Sequence, residues 1–193
     1  MSSREDILAK IRAAIRETYP MPELESIGAA ACADPAARFI EACAATGAAV
    51  IEAAPGESLD DIVRRAYPDA KTIASNLPEL TTATSNPDTV ASAQELNGTD
   101  VGVVRGRLGV AENGCVWIPQ TMRERAVCFI SENLVIALSR ADIVSNMHEA
   151  YRRVAMTAHG YGCFISGPSK TADIAQALVM GAQAARSVTV ALV

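Results

Sequence analysis

Two segments of this chain carry residue types and spacings that could do chemistry. The first is Glu112-Asn113-Gly114, which stands between the apolar runs Leu108–Ala111 and Cys115–Ile118. Asn-Gly between two such runs is a strong signal for a two-residue hairpin turn, because a type I′ turn needs positive φ at both positions. A carboxylate beside the hairpin tip could serve as nucleophile or general base, which makes Glu112 the catalytic candidate. A solvated turn acid is the plainer reading of the same residues.

The second segment is Gly167-Pro168-Ser169-Lys170-Thr171, which follows the apolar run Cys163-Phe164-Ile165. Residues 172–184 read as a helix, which would make Ser169 its cap. The unpaired N–H groups and dipole of that helix start would favour an anion. Lys170 would add positive charge and Thr171 a hydroxyl. Asp173, in the first turn, would satisfy the helix start while weakening the site for an anion. An ordinary Ser-capped helix explains the pattern equally well. A phosphate loop is excluded, because Pro168-Ser169 separate the glycine from Lys170-Thr171 where the Walker pattern requires them adjacent.

Other motifs fail on spacing. His148-Glu149 begins a metalloprotease-type HExxH, but position 152 is Arg, and His159 is too distant to share a helical face. No metal site and no cofactor are expected from the chain alone. There is no GxSxG elbow. The five cysteines (32, 43, 115, 128 and 163) form no CxxC pair and read as small buried hydrophobes. The net charge of −5 argues against nucleic acid. Arg105, Arg107, Arg123 and Arg125 form the only basic cluster, either a solvated face or an anchor for an acidic partner. No run reaches the roughly 20 apolar residues of a membrane span, and the acidic N-terminus is unlike a signal peptide, so a cytoplasmic location is expected.

The elements that must position these residues alternate. Residues 3–18 suggest an amphipathic helix with Ile7, Leu8, Ile11 and Ile15 on one stripe, stopped by Tyr19-Pro20. Residues 1–20 thus form a helical arm, packed on its own domain or on a neighbour, and self-association is open. Residues 35–193 form the α/β domain. Within it helices are expected over 35–46, from Glu57 or Ser58 to Arg65, from Ala141 or Ser145 to Thr157 and over 172–184, with a short one near Val90–Leu96. Strands are expected over 49–51, 71–75, 101–104, 127–130, 134–138, 163–165 and 188–193, besides the hairpin. The alternation points to an α/β fold with a mainly parallel central sheet flanked by helices and an antiparallel hairpin inserted.

At the two chemical segments the chain resembles a known family. Gly109-Val110-Ala111-Glu112-Asn113-Gly114-Cys115-Val116 resembles the hairpin of lactate utilization protein C and other LUD-domain proteins, and Gly167-Pro168-Ser169-Lys170-Thr171-Ala172-Asp173-Ile174 is very similar to their GPS-x-TADI signature. The resemblance implies a fold like ribose-5-phosphate isomerases and CoA transferases. It implies a part in bacterial oxidation of L-lactate to pyruvate beside iron–sulfur subunits. On that reading the chain is an accessory component that binds a small anionic metabolite through Asn113, Gly114 and the segment Gly167, Pro168, Ser169, Lys170, Thr171 and Asp173. The sequence departs from the family at Gly181-Ala182-Gln183-Ala184-Ala185, where a His-Gly-Pro turn is usual. Asn113 replaces the common Thr or Ser, so Glu112-Asn113-Gly114 resembles the catalytic-glutamate triplet of class I CoA transferases. That implies the alternative of an acyl- or CoA-transferase-like or isomerase-like enzyme using Glu112.

Overall fold

The structure is a computed structural model that describes residues 3–23, 28, 31–154, 158, 160–174, 177–182 and 185–193; the side chains of residues 172–174, 177 and 178 are outside that description. His159 and Gln183 also lie outside the described residues.

Five strands make the central sheet: β1 (Ala49–Glu52), β2 (Ile73–Ala74), β3 (Val101–Arg105), β6 (Asn133–Leu138) and β11 (Ser187–Leu192), in the order β1-β11-β6-β3-β2. Every pairing in it is parallel. Side chains alternate across the pleat, so β6 sends Leu134, Ile136 and Leu138 to one face and Val135 and Ala137 to the other. The second face is covered by α3 (Leu59–Ala66) through Leu59, Ile62 and Val63. A full capping box on Ser58 and Asp61 starts that helix.

The first face is covered by α2 (Pro35–Thr46) and a second sheet. Asp34 caps α2, Pro35 opens it, and Gly47 ends it in the left-handed conformation. The second sheet contains β4 (Leu108–Val110), β5 (Cys115–Pro119), β7 (Ile143–Val144) and β8 (Gly162–Ile165), in the order β7-β4-β5-β8. Here β4 and β5 form the antiparallel hairpin, closed by the four residues 111–114 and not by the two-residue turn expected at Asn113-Gly114, and β7 runs parallel to β4. Val116 and Ile118 face the central sheet, whereas Cys115 and Trp117 face α5 (Met147–Arg153) on the outside.

Three further expectations are corrected. Residues 127–130 form a short helix, α4 (Val127–Ile130), not a strand. A four-residue apolar run has no period to separate the two, and here Ile130 N–H returns to Ala126 O while Ser131 Oγ bonds Val127 O. The turn packs so closely on β3 that a Cβ at Gly102 would lie 2.5 Å from Ser131 Oγ. The described residues of the run 172–184 form no helix. β9 (Lys170–Ile174) and β10 (Ala177–Met180) form an antiparallel pair instead. The pairing is closed by Gly181 N–H to Ser169 O at 2.9 Å and Ser169 N–H to Ala185 O at 3.0 Å, contacts that outweigh the helix propensity of the alanines. The N-terminal helix, α1, spans Ser3–Ala14 and buries no residue, so nothing holds β-branched Ile15 and Thr18 in a further turn. Among the described residues no helix is long and apolar enough to cross a membrane.

Candidate functional site

Helix α2 organises both chemical segments. The hairpin tip rests on its middle: Gly114 has φ +66°, and a Cβ there would lie 2.7 Å from Cys43 N and 2.8 Å from the Ala42 carbonyl carbon. The second segment rests on its last turn, where a Cβ at Gly167, φ +69°, would lie 2.5 Å from Thr46 O. Both glycines are needed for backbone conformation and for close approach. Ser166 Oγ donates to Asn113 O at 2.8 Å and ties the two segments together, while Asn113 Oδ1 accepts from Cys115 N–H.

Glu112 faces away from the second segment. Its Oε2 accepts the N–H of Met147, the first residue of α5, at 2.9 Å. The carboxylate lines a cavity of about 300 Å³ shared with Cys32, Arg38, Ser145, Asn146 and His148. This cavity opens where the parallel strands β4 and β7 end. Arg38 stands near the start of α2 and Thr46 near its end, eight residues or about 12 Å apart along the helix axis. Glu112 and the segment from Gly167 to Thr171 therefore belong to different ends of one buttress and do not face a common space.

Since Ser169 leads into the strand β9, it caps no helix, and no helix dipole favours an anion there. Gly167 and Ser169 line an apolar cleft of about 200 Å³ with Cys128, Phe129, Leu134 and Val188. Pro168 is buried and Lys170 exposed. A Cβ at Gly47 would lie 3.7 Å from Lys170 Nζ, which places the ammonium at the carbonyl end of α2, where a cation is favoured. Thr171 and Asp173 lie in β9.

The buried thiols beside the hairpin are poor nucleophiles. Burial, reinforced by Cys115, pushes Cys43 up to about 12, and burial pushes Cys115 to about 11. Cys43 Sγ donates to Gly114 O at 3.5 Å, a packing contact. Among the described residues no group of His, Cys, Asp and Glu is placed to hold a metal ion. Three of the four arginines of the basic cluster take different partners: Arg105 pairs with Glu79, Arg125 stacks 4.5 Å over Tyr161, and Arg123 donates its backbone N–H to Asp88.

Sequence reasoning connected none of the other members of the Glu112 cavity to it, Arg38 and His148 included. These two come from α2 and α5, far from residue 112 in the chain. His148 was visible only as half of a failed zinc motif.

A family model for the LUD domain matches residues 80–193. The chain is also 30% identical over 102 residues to lactate utilization protein C of Shouchella clausii (strain KSM-K16), a match that takes in 50% of this chain and 44% of that protein. The chain thus spans less than half the length of that relative. The crystal structure of a DUF162 family protein from Deinococcus radiodurans superposes with a TM-score of 0.65 at 17% identity, over 83% of this chain and 96% of that one. That likeness is one of fold.

Proposed function

This chain belongs to the LUD domain family, and from that premise we propose that it is a component of bacterial L-lactate utilization that binds a small carboxylate metabolite. The observation that carries the reading is the family hairpin itself. Its acid, Glu112, rims a cavity that also presents the Arg38 guanidinium and the His148 imidazole. Arg38 offers the planar fork that suits a carboxylate, although Glu41 shares it at 3.1 Å. Glu112 and His148 are placed to accept and donate hydrogen bonds to a hydroxyl or keto group beside that carboxylate. The oxidation itself belongs to iron–sulfur partner subunits, on which this chain docks.

A second place for the anion is the loop of Gly167, Pro168, Ser169, Lys170 and Thr171, with Asn113 and Gly114 behind it and Asp173 beyond it. It rests on the Lys170 charge and on two hydroxyls. Thermal unfolding against L-lactate, pyruvate, sugar phosphates and acyl-CoAs separates the two places, because a ligand that binds only the folded chain raises Tm by mass action. Loss of the shift in Arg38→Ala supports the Glu112 cavity, and loss in Lys170→Ala moves the site to the loop. No shift with any of these ligands removes the metabolite-binding half of the proposal and leaves a docking subunit.

One observation favours a catalytic variant of the same reading. Glu112 sits at the carboxyl ends of β4 and β7 with one oxygen fixed by the Met147 N–H, as an oriented nucleophile for acyl or CoA transfer would be. Under this variant Glu112→Gln abolishes turnover of an acyl-CoA. Under the binding reading it leaves flux through the pathway intact.

A further inference from the structure

The carboxyl ends of the central strands lead into a further cavity. Arg107 follows β3 by two residues, and Asp142 follows β6 by four. Between them the chain steps from the central sheet into the second sheet. Together with Arg153, the last residue of α5, they rim a cavity of about 330 Å³. Leu108, Trp117 and Pro119 line its wall. The volume falls at the small end of ligand pockets, roughly 300–1,000 Å³, and the position is the one where parallel sheets hold ligands.

Among the described residues neither guanidinium makes an ion pair, and neither does Asp142. The neighbouring Arg105 is bound by Glu79 and lies close enough to Arg107 to be repelled by it. Two unpartnered cations thus converge on one cavity whose wall is apolar, and a single acid shares the rim. Trp117 is only 5% exposed and is held rigidly, with Phe164 at 4.8 Å between ring centroids and Gly162 against its indole edge.

We propose that this cavity binds a small organic carboxylate that carries a hydroxyl or ammonium donor next to the carboxylate and an apolar body. Arg107 and Arg153 hold the carboxylate, Asp142 accepts from the donor, and the apolar body lies along Leu108, Trp117 and Pro119. The cavity is separate from that of Glu112, which lies at the other ends of β4 and β7.

Trp117 is the only tryptophan in the chain, so its fluorescence reports occupancy directly. Titrations of the full chain with 3-phenyllactate, phenylalanine, 3-phenylpropionate and 2-phenylethanol cover the required groups one at a time. Saturable change with 3-phenyllactate or phenylalanine is expected, which also decides between a hydroxy acid and an amino acid. Binding should weaken with 3-phenylpropionate and vanish with 2-phenylethanol. Arg107→Ala and Arg153→Gln, both at exposed positions, should each weaken it about tenfold or more; Arg107→Lys serves as a variant that keeps charge and stem. The proposal is overturned if neither acid gives a saturable change below about 10 mM, if all four compounds act alike, or if the arginine variants bind as the wild type does while melting at the same temperature.

Discussion

Replacing Gly114 by alanine tests the close packing of the family hairpin on α2. Two costs are expected. Gly114 has φ +66°, where an L side chain is strained by about 1 kcal/mol. The added Cβ would also stand 2.7 Å from Cys43 N and 2.8 Å from the Ala42 carbonyl carbon. These are backbone atoms of a helix and cannot rotate away, so the hairpin or α2 must shift, at a further cost of about 1–3 kcal/mol. The sum is about 2–4 kcal/mol. For a domain of this size each kcal/mol moves Tm by about 2–4 °C, so a fall of about 5–15 °C is expected. Gly98→Ala is the matched control, because Gly98 has φ +79° with nothing within 4 Å of its Cβ. It should lose only the strain, a few degrees. Thermal unfolding followed by circular dichroism of the two variants decides the matter. Equal falls in both would refute the claim that the hairpin tip is seated on the helix backbone.

Further expectations concern stability, charge and reactivity. Burial alone would raise the Asp60 carboxyl, but the hydroxyls and N–H groups of Thr81 and Thr82 outweigh it and hold the group down at about 2. The folded value lies below the ordinary one of 3.8, so its contribution of about 2–3 kcal/mol is complete above about pH 4 and disappears as pH falls toward 2. Urea unfolding of Asp60→Asn should show a loss of about that size at pH 7 and a much smaller one at pH 2.5. Lys170→Ala should cost about 0.5 kcal/mol at low salt and less at 1 M salt, as expected for a cation at the end of α2; an unchanged loss at high salt would contradict that placement. Cys43, Cys115 and Cys128 are buried, with thiols raised to about 11 or 12. Mass spectrometry after brief alkylation at pH 8 should find them unmodified in the native chain and modified after unfolding.

Much of this architecture is legible in the sequence because its signals are local. Pro35 and Gly47 bracket α2, Asn113-Gly114 marks the hairpin, and the unbroken apolar run from Leu134 to Leu138 marks a strand buried on both faces. Where the signal is not local, reading fails. Val127 to Ile130 is too short to show a period, and its conformation is decided by the space beside Gly102. The run 172–184 has the alanines of a helix, yet β9 and β10 pair with each other, and contacts from Ser169 to Ala185 and Gly181 close the pair. The Glu112 cavity was half legible. The acid announces itself beside a turn, but Arg38 reaches it through the fold of α2 over the second sheet and His148 through the start of α5. Spacing along the chain encodes neither meeting. The same holds for Arg107, Asp142 and Arg153, whose shared cavity depends on two successive crossings from the central sheet to the second.

The central claim is that this chain serves L-lactate utilization, and growth tests it most directly. The chain's coding sequence would be deleted from the organism that encodes it, and growth would be measured on L-lactate as sole carbon source against growth on pyruvate. Growth on L-lactate should fail, growth on pyruvate should be unaffected, and the wild-type chain should restore the loss whereas Arg38→Ala restores it poorly. Equal growth on both carbon sources after deletion would contradict it.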